Sequence, residues 1–296
     1  MTCAIETRNL TKNYGGNRGI RNVNLVVEEG DIFGYLGPNG AGKSTSIRCL
    51  LGMIHPTSGQ AYVLGKQVGR EQTEILKCTG YMPSEAFFYP SMSVDEVIRY
   101  AAKVRGLDCG GEANRLCDRL EVDRKKKIGQ LSLGNRKKVG IVCALQHKPD
   151  LIIMDEPTSG LDPLMQEAFF ALLMERNREG ATCFLSSHVL QEVKRYCRNA
   201  GIIRDGELVK VESVEKLTRT NLRRVKVAVP EALQGLLLER LAGVEGMSEM
   251  TRRGVEISFS CRGEMKRLLE ALDGMEIEDL LIAEPSLEEV FLHFYD

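Results

Sequence analysis

This chain has no apolar run approaching the ~20 residues that a membrane-spanning helix requires, so nothing in it is expected to cross a bilayer unaided. Its first residues, Met1-Thr2-Cys3-Ala4-Ile5-Glu6, show no secretory signal pattern. Neither charge dominates: 40 Lys and Arg stand against 41 Asp and Glu, a formal net charge of −1. That balance argues against a general nucleic-acid binder, which is usually basic. The one basic run, Arg124-Lys125-Lys126-Lys127, reads as a solvated turn between helices. The nine cysteines contain no C-x-x-C pair, and several lie in apolar runs such as Ile141-Val142-Cys143-Ala144-Leu145. They read as small core residues of a reduced, cytosolic protein. No metal-ligand spacing links His55, His147, His188 and His293. What remains is a 296-residue chain, long enough for one large domain and a small one.

The strongest signal is Gly37-Pro38-Asn39-Gly40-Ala41-Gly42-Lys43-Ser44-Thr45. Glycines at both ends of a four-residue gap let backbone N–H groups curl around an anion. Lys43 supplies a point charge to the β- and γ-phosphates, and Ser44 offers a hydroxyl to Mg²⁺. Asp31-Ile32-Phe33-Gly34-Tyr35-Leu36 before it reads as a buried strand. Ser46-Ile47-Arg48-Cys49-Leu50-Leu51 after it reads as a helix whose N-terminus points at the phosphates.

The surrounding chain has α/β rhythm. Val23, Leu25 and Val27 alternate with Asn22, Asn24 and Val26, predicting an antiparallel strand, and residues 61–65 suggest another. From about Pro83 the pattern turns helical. Ser93 and Glu96 form a capping box, Val97, Ile98 and Ala101 keep helical spacing, and Leu116 and Leu120 share a face. This predicts a helical insert over about 84–145. Strands are expected at Leu151–Met154 and Ala181–Ser186, a helix over Gln166–Glu179 with Gly180 at its C-cap, and a hairpin turning at Asp205-Gly206. The expected fold class is an α/β phosphate-loop core, residues 1–220, with an antiparallel β subdomain. A small α+β domain, 221–296, follows, with strands, helices and a ferredoxin-like order. A last helix is expected after Pro285, with Ser286 and Glu289 as a capping box and Leu287, Val290, Phe291 and Phe294 as its apolar stripe.

Four further motifs carry chemistry. Leu151-Ile152-Ile153-Met154-Asp155-Glu156 is an apolar strand ending in two acids. Asp155 at that strand end can hold Mg²⁺, and Glu156 can deprotonate an attacking water. Leu131-Ser132-Leu133-Gly134-Asn135 opens a helix over Arg136–Leu145, where a hydroxyl, a glycine N–H and a helix N-terminus make a second anion site. His188 ends the strand after the acidic one, within reach of a γ-phosphate. Tyr14 can stack on adenine.

In this order the motifs resemble the nucleotide-binding subunit of an ATP-binding cassette (ABC) transporter, over roughly residues 4–220. Gly37–Thr45 is similar to the family's Walker A motif at every position. Asp155 and Glu156 resemble Walker B and the catalytic glutamate, Ser159-Gly160-Leu161-Asp162 the D-loop, and His188 the switch histidine. Leu131–Asn135 resembles the signature Leu-Ser-Gly-Gly-Gln, with Leu133 and Asn135 substituted but Ser132 and Gly134 kept. Where the family carries its Q-loop glutamine after Tyr81-Met82-Pro83, this chain has Ser84 and then Glu85, either of which is a candidate at Mg²⁺. Glu284–Phe291 resembles the ending of bacterial exporter ATPases whose membrane chains are separate.

The resemblance implies an ATPase with Lys43, Glu156 and His188 as catalytic residues. Nucleotide would be held by Tyr14, Gly37, Pro38, Asn39, Gly40, Ala41, Gly42, Lys43, Ser44, Thr45, Ser132, Gly134 and Asp162. Mg²⁺ would be held by Ser44 and Asp155. Two copies would face head to tail, each ATP lying between Gly37–Thr45 of one and Ser132–Gly134 of the other. Partners would be a second copy and an integral membrane permease, with no nucleic acid, at the inner face of the cell membrane. Two alternatives stand beside the exporter: a soluble switch on ribosomes or nucleic acid, and an importer subunit.

Overall fold

The computed structural model describes residues 3–16, 18–218, 222–262 and 265–283. They fall into two compact units, Met1–Val214 and Glu215–Asp296. The sequence pattern had placed this division after about Thr220.

In chain order the first unit runs β1 (Cys3–Asn13), β2 (Gly19–Glu28), β3 (Ile32–Leu36), α1 (Lys43–Leu50), β4 (Ser58–Val63), β5 (Lys66–Gln67), α2 (Gln72–Lys77) and β6 (Thr79–Met82). It continues through α3 (Val94–Val104), α4 (Gly110–Arg119), α5 (Leu133–Leu145), β7 (Leu151–Asp155), α6 (Pro163–Arg178), β8 (Thr182–Ser187), α7 (Leu190–Tyr196), β9 (Asn199–Arg204) and β10 (Glu207–Ser213), and α8 (Val214–Thr218) follows. Strands β2-β1-β4-β5 make one antiparallel sheet. In β2, Val23, Leu25 and Val27 are buried while Val26 is exposed, so the alternation in the sequence marks the core face.

The second sheet has the order β10-β9-β3-β8-β7-β6. All its neighbours are parallel except β10, which returns antiparallel from β9 through the Asp205-Gly206 turn. Both turn residues have positive φ, 49° and 82°, as a two-residue hairpin of this twist requires. Every residue of β3, β7 and β8 is buried, which is why these strands read as unbroken apolar runs. Phe33 and Phe184 stack across β3 and β8 with centroids 5.8 Å apart.

Helices α3, α4 and α5 follow one another between β6 and β7, with Val97, Ile98, Leu116 and Leu120 buried. Ser93 caps α3 as predicted: its hydroxyl accepts from Glu96 N–H at 3.2 Å, and the Glu96 carboxylate accepts from Ser93 N–H at 2.7 Å. Arg124 of the basic run pairs with Asp95 and bonds to Asn114, while Lys125, Lys126 and Lys127 are exposed. Helix α5 begins at Leu133, earlier than Arg136, because the Ser132 hydroxyl accepts from Asn135 N–H at 3.3 Å. All nine cysteines are free thiols.

The second unit runs β11 (Leu222–Ala228), α9 (Gln234–Ala242), β12 (Met247–Arg253), β13 (Glu256–Arg262), α10 (Met265–Leu272) and β14 (Asp279–Ala283). Its sheet order, β12-β13-β11-β14, is antiparallel throughout. Val225, Val227, Ile257 and Phe259 pack under Leu237, Leu241 and Leu268 of the two helices. Strand β12 had no counterpart in the sequence reading; all its residues but Met247 are exposed, and only Met247 and Met250 are apolar. The helix read after Pro285, with Ser286, Glu289 and the stripe Leu287, Val290, Phe291 and Phe294, lies outside the described residues.

Ser93→Ala removes one half of a reciprocal cap, so it should destabilise the first unit by about 1 kcal/mol. A urea titration followed by far-UV circular dichroism would show this as a lowered midpoint at unchanged slope.

Candidate active site

The site is assembled where the parallel strands end. Strand β3 runs into the glycine loop at Gly37, β7 ends at Asp155, and β8 ends at Ser187. The parallel register sets Leu36 beside Ser187 and Asp155 beside Ser186. Three strand ends therefore deliver Gly37–Thr45, Asp155-Glu156 and His188 to one edge, the position where open α/β sheets bind ligands.

The glycine loop is held by close approach of backbone. A Cβ on Gly37 would lie 2.4 Å from Ile203 O, and one on Gly42 2.7 Å from Ile20 Cγ2. Gly40 and Gly42 have φ of 83° and 108°, in the range glycine adopts without penalty. Helix α1 starts immediately after Gly42, with no side chain capping it and no acid in its first turn. Its N–H groups and positive end are thus left for an anion. Lys43 is buried. Its ammonium donates to Gly37 O at 2.6 Å and Pro38 O at 3.1 Å, inside the loop's curve.

Glu156 is the hub of the site. Its φ is 49°, a left-handed conformation that costs a non-glycine residue on the order of 1–3 kcal/mol. Its N–H donates to Ser186 Oγ at 3.0 Å, and the same hydroxyl donates to Asp155 Oδ1 at 2.5 Å. One carboxylate oxygen, Oε1, forms an ion pair with Lys43 Nζ at 3.1 Å, outside hydrogen-bond geometry. The other, Oε2, lies 2.7 Å from His188 Nδ1. With Glu156 ionised, His188 must carry its proton on Nδ1 to make that bond. The Glu156 carbonyl accepts from Lys137 Nζ at 2.8 Å. Burial pushes the Lys137 ammonium below its ordinary pKa, against the opposing pull of Glu156, Asp155, Glu192 and Glu85.

The cleft beside the loop holds about 460 Å³. Tyr14, Pro38, Asn39, Gly40, Gly42, Lys43, Ser44, Thr45, Ser84 and Glu156 line it, so most of the expected residues converge on one space. Ser84 faces the cleft, whereas Glu85 is exposed and is absent from its lining. Tyr14 stands at the cleft with Lys12 Nζ 5.3 Å from its ring centre. Arg18, Asp205 and Gly206 also contribute walls; Arg18 belongs to no motif, and Asp205-Gly206 read in the sequence only as a hairpin turn. Nor did any motif single out Ser186 or Lys137; the latter looks like one more charge in Arg136-Lys137-Lys138.

Ser132, Gly134 and Asp162 lie elsewhere. None lines the cleft. Ser132 is the exposed N-cap of α5, and Asp162 caps α6 by accepting from Met165 N–H at 3.0 Å. A Cβ on Gly134 would meet Gly160 O at 2.8 Å, so α5 starts directly against the loop Ser159–Asp162.

Among the described residues no group of three His, Cys, Asp or Glu is placed to hold a metal. The oxygens of Ser44 and Asp155 near the loop suit Mg²⁺, which takes one or two protein ligands and completes its shell with phosphate and water. His147 is elsewhere and buried, its ring at 3.3 Å from Thr79 O. Burial and Arg105 push it down to about 4, which keeps it neutral.

Comparison with known proteins agrees with this geometry. The family described as ABC transporter matches residues 20–159. The bacitracin transport ATP-binding protein BcrA of Bacillus licheniformis is 34% identical, over 99% of this chain and 97% of its own length. The linearmycin resistance ATP-binding protein LnrL of Bacillus subtilis (strain 168) is 30% identical over 98% of this chain and 97% of its own. Among solved structures, the dimeric ATP-binding cassette MJ0796, in a post-hydrolysis state bound to ADP and Pi, superposes with a TM-score of 0.63. It is 25% identical, over 71% of this chain and 98% of that one.

Gly42→Ala forces a side chain into Ile20 at a φ that L residues rarely adopt. It should weaken ATP binding at least ~10-fold, since well-placed loop donors are each worth about 1.5–3 kcal/mol. Titration with a fluorescent ATP analogue checks this, and far-UV circular dichroism should be unchanged.

Proposed function

We propose, from the premise that this chain belongs to the ABC transporter family as its ATP-binding subunit and is an ATPase coupled to transport, that it powers an exporter by closing and reopening a head-to-tail dimer. The carrying observation is that the cleft gathers Pro38, Asn39, Gly40, Gly42, Lys43, Ser44, Thr45 and Glu156 but not Ser132 or Gly134. One chain therefore presents two half-sites. A second copy, reversed, supplies the missing half to each.

In this reading Tyr14 stacks on adenine, and Gly37–Thr45 wraps the phosphates with Lys43 at their centre. Ser132 and Gly134 of the opposite copy meet the γ-phosphate, with Asp162 close to that junction. Ser44, Asp155 and, through water, Ser84 are the residues that would hold Mg²⁺. The ion neutralises phosphate charge when bound. Glu156 accepts the proton of the attacking water, and His188 holds the carboxylate by its 2.7 Å bond. Phosphate entering the loop competes with Glu156 for Lys43, which frees Oε1 for water.

Export is supported by the relatives: BcrA is named for bacitracin transport and LnrL for linearmycin resistance, and both match end to end. No helix among the described residues is long and apolar enough to cross a membrane; in this reading the path for the cargo belongs to a permease chain. An apolar groove of about 530 Å³ on the helical insert fits a segment of that permease. Phe87, Tyr89, Tyr100 and Val104 form it, and Phe87 is 82% exposed. The groove follows Ser84 directly in sequence, so a partner seated there feels movement at the cleft. The protein would then sit at the inner face of the cell membrane.

Glu156→Gln should lower ATP turnover at least ~100-fold, the low end for a general base, while retaining ATP and accumulating as a dimer. Phosphate release and sedimentation velocity with ATP measure the two. Near-normal turnover removes Glu156 from its role. A double variant, Phe87→Glu with Tyr100→Glu, should lose co-purification with a polytopic protein from detergent-solubilised membranes and still bind ATP. Co-purification of the parent chain with ribosomes instead would overturn the permease reading.

A further inference from the structure

We infer that Lys137 of α5 is a positioning residue that pins the backbone of Glu156 and thereby ties the Ser132–Gly134 end of α5 to the hydrolytic carboxylate. The inference rests on the role given to Glu156 above and extends it to a residue outside the family motifs.

Lys137 is 1% exposed and ranks among the largest fully buried side chains of the chain. Lysines are almost never fully buried unless paired, because the ammonium loses its hydration. A leucine would serve the packing of α5 better, so the amine must be held for what it touches. It touches a carbonyl: Nζ donates to Glu156 O at 2.8 Å. That carbonyl belongs to the one cleft-lining residue that keeps a side chain at a left-handed φ, apart from the hairpin residue Asp205. On the other side of the same residue, the Glu156 N–H is held by Ser186 Oγ at 3.0 Å. The strained peptide is thus clamped at both its donor and its acceptor. A strained backbone persists only where its surroundings over-determine it.

The clamp also has direction. Lys137 lies on the helix that Ser132 caps and whose Gly134 abuts Gly160. A tilt of α5 when its N-terminus engages phosphate moves the Lys137 amine, and with it the Glu156 carbonyl. The carboxylate then moves relative to the attacking water. Misplacement of a reacting group by about 1 Å can cost ~100-fold in rate, so a small tilt is enough to gate hydrolysis.

The test compares Lys137→Met and Lys137→Gln with Glu156→Gln in the full chain. Methionine fills the same volume without a donor, and glutamine keeps an N–H. We expect K137M to lose at least ~10-fold in kcat with ATP affinity within about threefold of the parent, a loss confined to the chemical step. K137Q should recover kcat to within about threefold, a rescue that bulk packing would not give. A K137M kcat within about twofold of the parent, in a protein that Glu156→Gln inactivates, overturns the inference. Should K137M not fold, a K137Q loss of ~10-fold at unchanged ATP affinity overturns it equally. If Glu156→Gln itself turns over normally, the role of Glu156 has failed, and that outcome is read separately.

Discussion

Everything at this site depends on the parallel register of three neighbouring strands. Because β3, β8 and β7 run the same way, with Leu36 beside Ser187 and Asp155 beside Ser186, all three end at one edge. Each end carries a different kind of chemistry: a loop of backbone donors, a pair of carboxylates and an imidazole. A slip of one residue between β7 and β8 would turn every side chain to the opposite face and part Asp155 from Ser186. The apolar filling of these strands, including the stacked Phe33 and Phe184, resists that slip. Packing far below the cleft therefore fixes the distances within it.

The second constraint is electrostatic. Lys43, Lys137 and His188 all converge on Glu156, two through its carboxylate and one through its carbonyl. Lys43 and Glu156 are both largely buried, and burying either alone would cost several kcal/mol. Their pairing makes the cleft tolerable before ligand arrives. The same pairing keeps one carboxylate oxygen, Oε1, engaged with the ammonium. In the proposed cycle phosphate takes over Lys43 with a greater charge and releases Glu156 toward water, so binding and activation are one rearrangement.

Much of this was legible in the sequence because local chemistry and spacing agreed. Glycines at Gly37, Gly40 and Gly42, the apolar run ending at Asp155-Glu156, and the Ser93–Glu96 box each signal one conformation. The parallel strands were legible as unbroken apolar runs. Strand β12 was not, since its register comes from pairing with β13 and nearly every residue faces water. The start of α5 was read late because Gly134 weakens the helical signal that the Ser132 cap restores. Ser186 and Lys137 were invisible for a different reason. Each acts on Glu156 across the fold, 30 and 19 residues away in sequence, and no local pattern marks such a contact. Lys137 in particular sits within three consecutive cations, which suggest a wet surface where there is a buried amine.

The separation of the half-sites sets the energetic terms of the proposed cycle. ATP can shift an equilibrium between open and closed dimers only by its preference for the closed one. Driving that equilibrium from about 1:99 to 99:1 takes ~10⁴-fold, or about 5.5 kcal/mol. The cleft residues of one chain are present in both states and so contribute nothing to the difference. In that cycle the preference arises at Ser132, Gly134 and the first turn of α5, which on the proposal meet phosphate only on closure. Hydrogen bonds to a charged group are worth about 1.5–3 kcal/mol each, so two such contacts at each of two sites suffice. Loss of the γ-phosphate removes those contacts and leaves the cleft contacts intact. In the proposed cycle the dimer therefore opens on hydrolysis even while the nucleotide remains held by Gly37–Thr45.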